Sequence, residues 1–452
     1  MKTYMKEEIF EQGSVSKAYY TFSIPLVTGF IITMLYNIAD TYFIARTQDV
    51  NLIAGVSLCA PVFTLLMAFG NIYAQGGCTL VSRLLGQKDA QAVRHCSSFS
   101  AYIAILTGVA VCAVMLLFSR PILTLLGVNA SSFTYAYDYY KWLALGAPLI
   151  VFNFVPANFL RSVGKSKESM IGSVAGTVVN IVLDPILISV FGWGASGAAI
   201  ATVMGYVVTV LYYLYIWLRF CPMFSLRPGE MRISGAQVGQ IFGIGIPAAI
   251  TNLTQSFSIV MTNQLLLPYG NDKIAAMGVV LKVIMVAVLF IVGFSFGGQP
   301  IIGYLYGAGN RKRLSELVSF TFCFLCGLGL ALTAVFFVFA PGMIRLFLKD
   351  AALVDTGALM LRVQSASLVL VAVVMFMTIL AQSTGQVLYS LILSVSRQGV
   401  VFLVVLFIAS RLAGYYGVIA AQPVADLITA LMAAALYAGG LRRKLFPDPS
   451  EL

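Results

Sequence analysis

The chain has 452 residues, of which 60% are hydrophobic and only 10% charged, with a mean hydropathy of +0.93 and a formal net charge of +11. No water-soluble domain has that composition, and the period-two patterning of a membrane barrel is absent, which leaves a helical membrane protein. In such a chain the positive charge signals orientation at a membrane rather than affinity for nucleic acid.

A span needs roughly 20 apolar residues at about 1.5 Å each. Apolar stretches of that length are expected at 16–45, 51–81, 94–119, 133–160, 168–191, 195–218, 240–268, 273–303, 314–339, 354–382, 388–410 and 416–440. Charged residues precede the first stretch, which is too long for the apolar region of a cleavable signal. With both termini in the cytoplasm, most of the Lys and Arg, Arg397 among them, fall on the inner side.

The first span reads Tyr36-Asn37-Ile38-Ala39-Asp40. A carboxylate at that depth costs about 2.5–3.5 kcal/mol, so Asp40 is a functional candidate, with Tyr36 and Asn37 one turn earlier on its polar face. Pro25 interrupts the same span 15 residues before Asp40 and is a candidate hinge. In the fifth span, Asn180 and Asp184 lie four apart, and Pro185 leaves the carbonyl of Ile181 without its helical donor. A carboxylate, an amide and a free carbonyl within one turn suit a proton or a small hard cation. Asp426, in the last span, is a third intramembrane acid for which a structural and a functional role weigh equally. Cys323 and Cys326 form a C-x-x-C within a span and read as small packing residues, and no metal site is expected apart from room for Na⁺.

The two halves match at a shift of about 221 residues. Ile24-Pro25 matches Ile246-Pro247, Gly76-Gly77 matches Gly297-Gly298, Gly164 matches Gly385, and Gly197 matches Gly417. Six spans per half keep both halves in one orientation, which predicts a parallel repeat. The expected fold is therefore an all-α polytopic membrane protein, twelve transmembrane helices in two six-helix lobes: residues 1–218, a cytoplasmic connection at 219–239, residues 240–440, and a cytoplasmic tail at 441–452. The acids are not repeated. Asp40 aligns with Thr262 and Asp184 with Val405, so charge is a task of the first lobe and not a requirement of the scaffold.

These motifs, with Leu160-Arg161-Ser162-x-Gly164 and Gly197-Ala198-Ala199-x-Ala201-Thr202, resemble the multidrug and toxic compound extrusion (MATE) family over essentially the whole chain. Within it they are similar to the DinF-like branch and its MepA-type bacterial drug pumps. The resemblance implies the MATE fold and a transporter rather than an enzyme. It implies a multi-pass protein of the bacterial cytoplasmic (inner) membrane that exports small organic cations in exchange for H⁺ or Na⁺ and needs no cofactor; because both sites lie within one chain, a monomer would suffice. It also implies ion coupling at Asp40 and Asp184, with Asn180 and Thr202 as polar partners and a tyrosine of the fourth span, Tyr139 or Tyr140, completing the network. The second-lobe acidic site of the NorM-like branch has no counterpart, since the seventh span offers Gln255 instead.

Met34, Tyr36, Asn37, Asn153, Phe154 and Gln255 are the cavity candidates for substrate. A carboxylate taken out of water accepts a proton more readily, which would loosen a bound cation and relax the first helix at Pro25. Two other readings are weaker. A flippase for lipid-linked sugars needs a basic cavity, and an intramembrane aspartyl protease needs a close acid pair in a Gly-x-Gly-Asp setting that neither acid has.

Overall fold

The computed structural model describes Phe10 and residues 13–446. The amino-terminal basic residues Lys2 and Lys6, and residues 447–452 of the expected tail, lie outside the described residues. The described chain is helical throughout, with no strand among the described residues. Eleven of its helices are long and apolar enough to cross a membrane, and the last of them, Val387–Leu445, is folded back at Gly414, whose φ of 55° and ψ of −129° are not helical. That fold gives the two final spans, and the chain is a multi-pass membrane protein of twelve spans.

The spans are α1 (Val15–Arg46), α2 (Val50–Leu58 with Ala60–Gly86), α3 (Ala90–Leu117), α4 (Phe133–Ser162), α5 (Ser166–Pro185) and α6 (Gly194–Phe220). They continue as α7 (Gly235–Leu266), α8 (Asn271–Gly307), α9 (Arg311–Arg345), α10 (Ala351–Ser365 with Leu368–Ser383), α11 (387–413) and α12 (415–436). Two compact units form. One comprises Thr28–Ala249, and the other comprises Gly13–Val27 with Ile250–Leu452. We call them the first and second lobes. α1 and α7 are thus each divided between the units, two residues after Pro25 and Pro247. α1 continues as one helix through Pro25, which sits inside it.

Within the first lobe α4 is the central element, packed against α2, α3 and α6, with 72% of its apolar window buried. α10 holds the same position in the second lobe, packed against α8, α9 and α12, with 61% buried. α9 is the reverse case at 17%, and its exposed Leu330, Val335, Phe337 and Phe339 are what a lipid-facing helix presents. Cys323 is exposed and Cys326 half-buried on this helix, so the expectation of core packing fails for Cys323, whose position faces outward.

The repeat is also present in the backbone. Lys88 and Gly309 both take left-handed φ (59° and 71°), as do Gly164 and Gly385 (84° and 75°) and Gly194 and Gly414 (49° and 55°). Each position in the first lobe thus recurs about 220–221 residues later. The first pair precedes matching caps: the Asp89 carboxylate accepts from the Ala92 N–H and the Asn310 side chain from the Arg313 N–H. Swapped half-helices are held by equivalent contacts. A Cβ on Gly76 would lie 2.0 Å from the Ile241 carbonyl oxygen, and one on Gly245 would lie 2.0 Å from that of Ile72, so α2 and the first half of α7 touch backbone to backbone in the first lobe. In the second lobe Gly297 makes a similarly close contact with Ser23 of α1, where a Cβ would lie 2.5 Å from the serine Cα. Small residues are what allow helices to approach this closely in a membrane.

One expectation about charge is corrected. Arg397 is not at the inner end of a span. It lies ten residues into α11 (387 to 397), buried in a π turn at Ser396–Val400 and ion-paired to Asp426 at 3.1 Å.

Candidate functional site

Three glycines set the geometry of the site. Gly176 and Gly205 bring α5 and α6 together, each placed so that a Cβ would press on the other's carbonyl at 2.5–2.8 Å, and Gly197 lies against the carbonyl of Leu187. At that spacing Asn180 of α5 reaches Thr202 of α6, Nδ2 to Oγ1 at 3.4 Å. The Thr202 hydroxyl gives its proton to the Ala198 carbonyl at 3.0 Å, so it accepts from Asn180, and this fixes the amide with its oxygen turned away. Beyond Pro185 the helix loosens into a π turn, Ile186–Val190, where Gly197 packs. Such turns are frequent at functional sites.

Asp184 is fully buried, and its carboxyl faces that of Asp40 from α1. Tyr36 lies on the same face of α1, beside Asp40 and toward Thr202. Neither acid has an ion-pair partner among the described residues. Both oxygens of Asp184, and Oδ1 of Asn180, are buried without a hydrogen-bond donor. The cluster is therefore rich in acceptors and lacks positive charge.

Of the two tyrosines considered on α4, Tyr139 stands among Asp40, Asp184 and Tyr206. Tyr140 turns toward α3, where its hydroxyl donates to the Met115 carbonyl at 2.8 Å. Tyr206 was not anticipated. It lies four residues after Thr202, one turn along the same face, and that spacing could have pointed to it. Its ring meets Phe63 at 6.2 Å.

Asp40, Tyr36, Tyr139, Asn180, Asp184 and Thr202 thus form one cluster within the first lobe, next to the π turn at Pro185. The other candidates are placed elsewhere. Asn37 is exposed, a helical step away from the face carrying Tyr36 and Asp40. Met34 is half-buried on α1, and Asn153 is buried in α4 with Oδ1 lacking a donor. Phe154 fills the space over Gly70 of α2, where a Cβ would lie 2.5 Å from its ring. Gln255 is exposed and belongs to the second lobe. Asp426, also of that lobe, is committed to partners: Arg397 Nε at 3.1 Å, Gln422 Nε2 at 3.0 Å and Ser367 Oγ at 2.8 Å.

Comparison with known proteins adds a family context. The MatE family model matches residues 25–186 and 247–408, one match per half. The chain is 34% identical over 451 residues to the multidrug export protein MepA of Staphylococcus aureus (strain NCTC 8325 / PS 47), covering 99% of both chains. It is 32% identical, over the same share, to MepA of Staphylococcus saprophyticus. Among solved structures it superposes with a TM-score of 0.89 and 25% identity on a multidrug-resistance MATE transporter of the MOP superfamily in an outward-facing conformation, covering 99% of both chains. A MOP superfamily transporter from Pyrococcus furiosus gives the same TM-score and identity over 98% of each chain.

Proposed function

The chain belongs to the MATE family, and from that premise we propose that it is a multidrug efflux antiporter. It exports organic, mainly cationic, drugs and toxins across the bacterial inner membrane by alternating access, driven by inward H⁺ or Na⁺, with both termini in the cytoplasm. The observation that carries the coupling is the acceptor-rich cluster of the first lobe, which holds no positive charge. The Asp184 carboxyl, which faces that of Asp40, and the Asn180 amide oxygen are buried and meet no donor from the protein. A cation supplies what is missing, either a proton shared by the carboxyls or Na⁺ held by the oxygens of Asp40, Asn180, Asp184 and Thr202.

The electrostatics give the exchange its direction. Two ionised carboxylates about 4 Å apart repel by about 4 kcal/mol at an effective dielectric near 20. In the ionised state the cluster attracts an organic cation. Uptake of H⁺ or Na⁺ cancels that attraction, so drug and coupling ion compete for one negative site. The half-buried Tyr36 and Met34 on α1 offer the apolar and aromatic surface that broad specificity uses. Both carboxyls come from one chain, so a single copy suffices.

The test is efflux of a fluorescent organic cation from proteoliposomes under a pH gradient alone and then a Na⁺ gradient alone. Wild type should export under at least one gradient, and Asp40→Asn under neither; the effective gradient names the ion. Folded wild-type protein that moves no cation under either gradient would overturn this reading and bring the lipid-linked sugar flippase forward. A second measurement separates the tyrosines. Tyr139→Phe should slow coupled efflux about tenfold, the size of one hydrogen bond to a charged group that its hydroxyl, standing beside the acid pair, gains only during the transport cycle. Tyr140→Phe should leave the rate within about twofold of wild type and cost roughly 1 kcal/mol of stability through the Met115 carbonyl. Equal rates for the two variants would refute this assignment.

A further inference from the structure

The α9–α10 connection of the second lobe forms a cavity that the export reading does not use. α9 ends at Arg345, and α10 starts at Ala351 behind a cap in which the Asp350 carboxylate accepts from the Leu353 N–H at 3.0 Å. The helix end, the turn and the first residues of α10 border a cavity of about 370 Å³, lined by Arg345, Leu348, Lys349, Ala351, Val354 and Asp355. That is within the range of about 300–1,000 Å³ that small-molecule sites occupy. The first lobe makes the same turn, with Asn129 accepting from the Ser132 N–H 221 residues earlier (350 to 129). At that shift Thr124, Val128 and Thr134 stand in place of Arg345, Lys349 and Asp355, so the turn does not need the charges.

Two cations and one carboxylate thus share the walls with the apolar Leu348, Ala351 and Val354. None of the three charged side chains has an ion-pair or hydrogen-bond partner among the described residues, so the basic groups stand too far from Asp355 to pair with it. Opposite charges held apart across one cavity suit a ligand that carries both signs. The cavity also lies at headgroup depth. α9 presents Val335, Phe337 and Phe339 to lipid, and Arg345 follows six residues later (339 to 345), about 9 Å further along the helix. The headgroup layer begins outside a hydrocarbon core about 30 Å thick and is about 5–8 Å deep on each side. Beside the cavity the exposed Leu346 and Phe347 extend the apolar surface on which acyl chains would lie.

We propose that this cavity binds the headgroup of a phospholipid that bears a phosphate and a primary ammonium, a phosphoethanolamine lipid of the outer leaflet. The phosphate lies between Arg345 and Lys349, and the ammonium donates to the Asp355 carboxylate. A glycerol headgroup, negative overall, would set its phosphate on the same cations but leave Asp355 uncompensated. A choline headgroup has no N–H to donate, and no aromatic residue is among those that line the cavity to receive it instead. The inference uses the membrane setting and orientation of the chain and not its drug-export activity.

The experiment uses delipidated full-length protein in detergent. Native mass spectrometry reads the Kd of the first bound lipid for phosphatidylethanolamine, phosphatidylglycerol and phosphatidylcholine with the same chains. Wild type should bind the ethanolamine lipid about tenfold more tightly than either other, the size of one charge-assisted hydrogen bond. Asp355→Asn should reverse the order of the first two. It should weaken the ethanolamine lipid about tenfold and tighten the glycerol lipid at least about twofold, a gain that no folding defect produces. Arg345→Gln should weaken both about tenfold. Equal affinities in wild type, or equal changes in both lipids with Asp355→Asn, would refute the headgroup assignment. Ethanolamine-lipid binding unchanged by Arg345→Gln would refute the phosphate position. Glycerophosphoethanolamine, the same headgroup without chains, should compete only at about 100-fold higher concentration. Competition at equal concentration would make the ligand a soluble phosphate ester and end the lipid reading. None of these outcomes touches the export reading, which the efflux assay decides separately.

Discussion

Asp184→Asn abolishes gradient-driven export and leaves the protein at least as stable as wild type. Both expectations come from one observation. The Asp184 carboxyl is fully buried, yet no N–H or O–H of the protein donates to it, so the fold loses no bond when it is neutralised. An uncompensated buried charge is a cost that the fold bears without return, and removing it relieves repulsion from Asp40 of up to about 4 kcal/mol. Transport loses everything, because a neutral amide can neither share a proton with Asp40 nor draw in a cation. The check is paired: efflux from proteoliposomes at least about 100-fold below wild type, and a thermal midpoint in detergent equal or higher. Coupled efflux that survives Asp184→Asn would move the coupling elsewhere, and a large fall in midpoint would mean that Asp184 is a structural acid.

Asp426→Leu is expected to do the opposite. Three donors converge on this acid, and its loss strands the buried guanidinium of Arg397 without a counter-charge. Breaking one side of such a pair costs about 3–5 kcal/mol, while replacing both sides by apolar groups is often neutral. At about 2–4 °C per kcal/mol for a unit of 150–250 residues, the single substitution should lower the thermal midpoint on the order of 10 °C. The double variant Arg397→Leu with Asp426→Leu should recover most of it. A single variant that melts with wild type would show that the pair stabilises nothing. A double variant no better than the single would place the cost in packing rather than charge. Thermal midpoint and efflux should thus separate Asp184 from Asp426, the unpartnered acid being expected to matter for transport and the partnered one for the stability of its lobe.

The sequence by itself determined the class, the twelve spans and the parallel repeat, and it marked Asp40 and Asp184 as acids inside apolar spans. Each of those rests on a property local to the chain. Hydropathy over about 20 residues marks a span, a constant shift marks a repeat, and a carboxylate inside an apolar run stands out because of its cost. Even the point where α1 and α7 pass from one compact unit to the other lies beside the prolines that the repeat aligned.

Only the tertiary structure decided which groups meet. Tyr139 and Tyr140 are adjacent and chemically identical, but they point about 100° apart around α4, so one faces the acid pair and the other the Met115 carbonyl. The same rotation puts Tyr36 beside Asp40 and leaves Asn37 exposed. Arg397, by position a basic residue at the end of a span, became a buried partner of Asp426, 29 residues away, because a π turn in α11 aims it inward. The physical reason is common to all three. Spacing along a helix fixes which residues share a face, but the direction of that face depends on the helix's rotation about its own axis. That rotation is set by close contacts such as Gly176 with Gly205, between residues that no local pattern brings together.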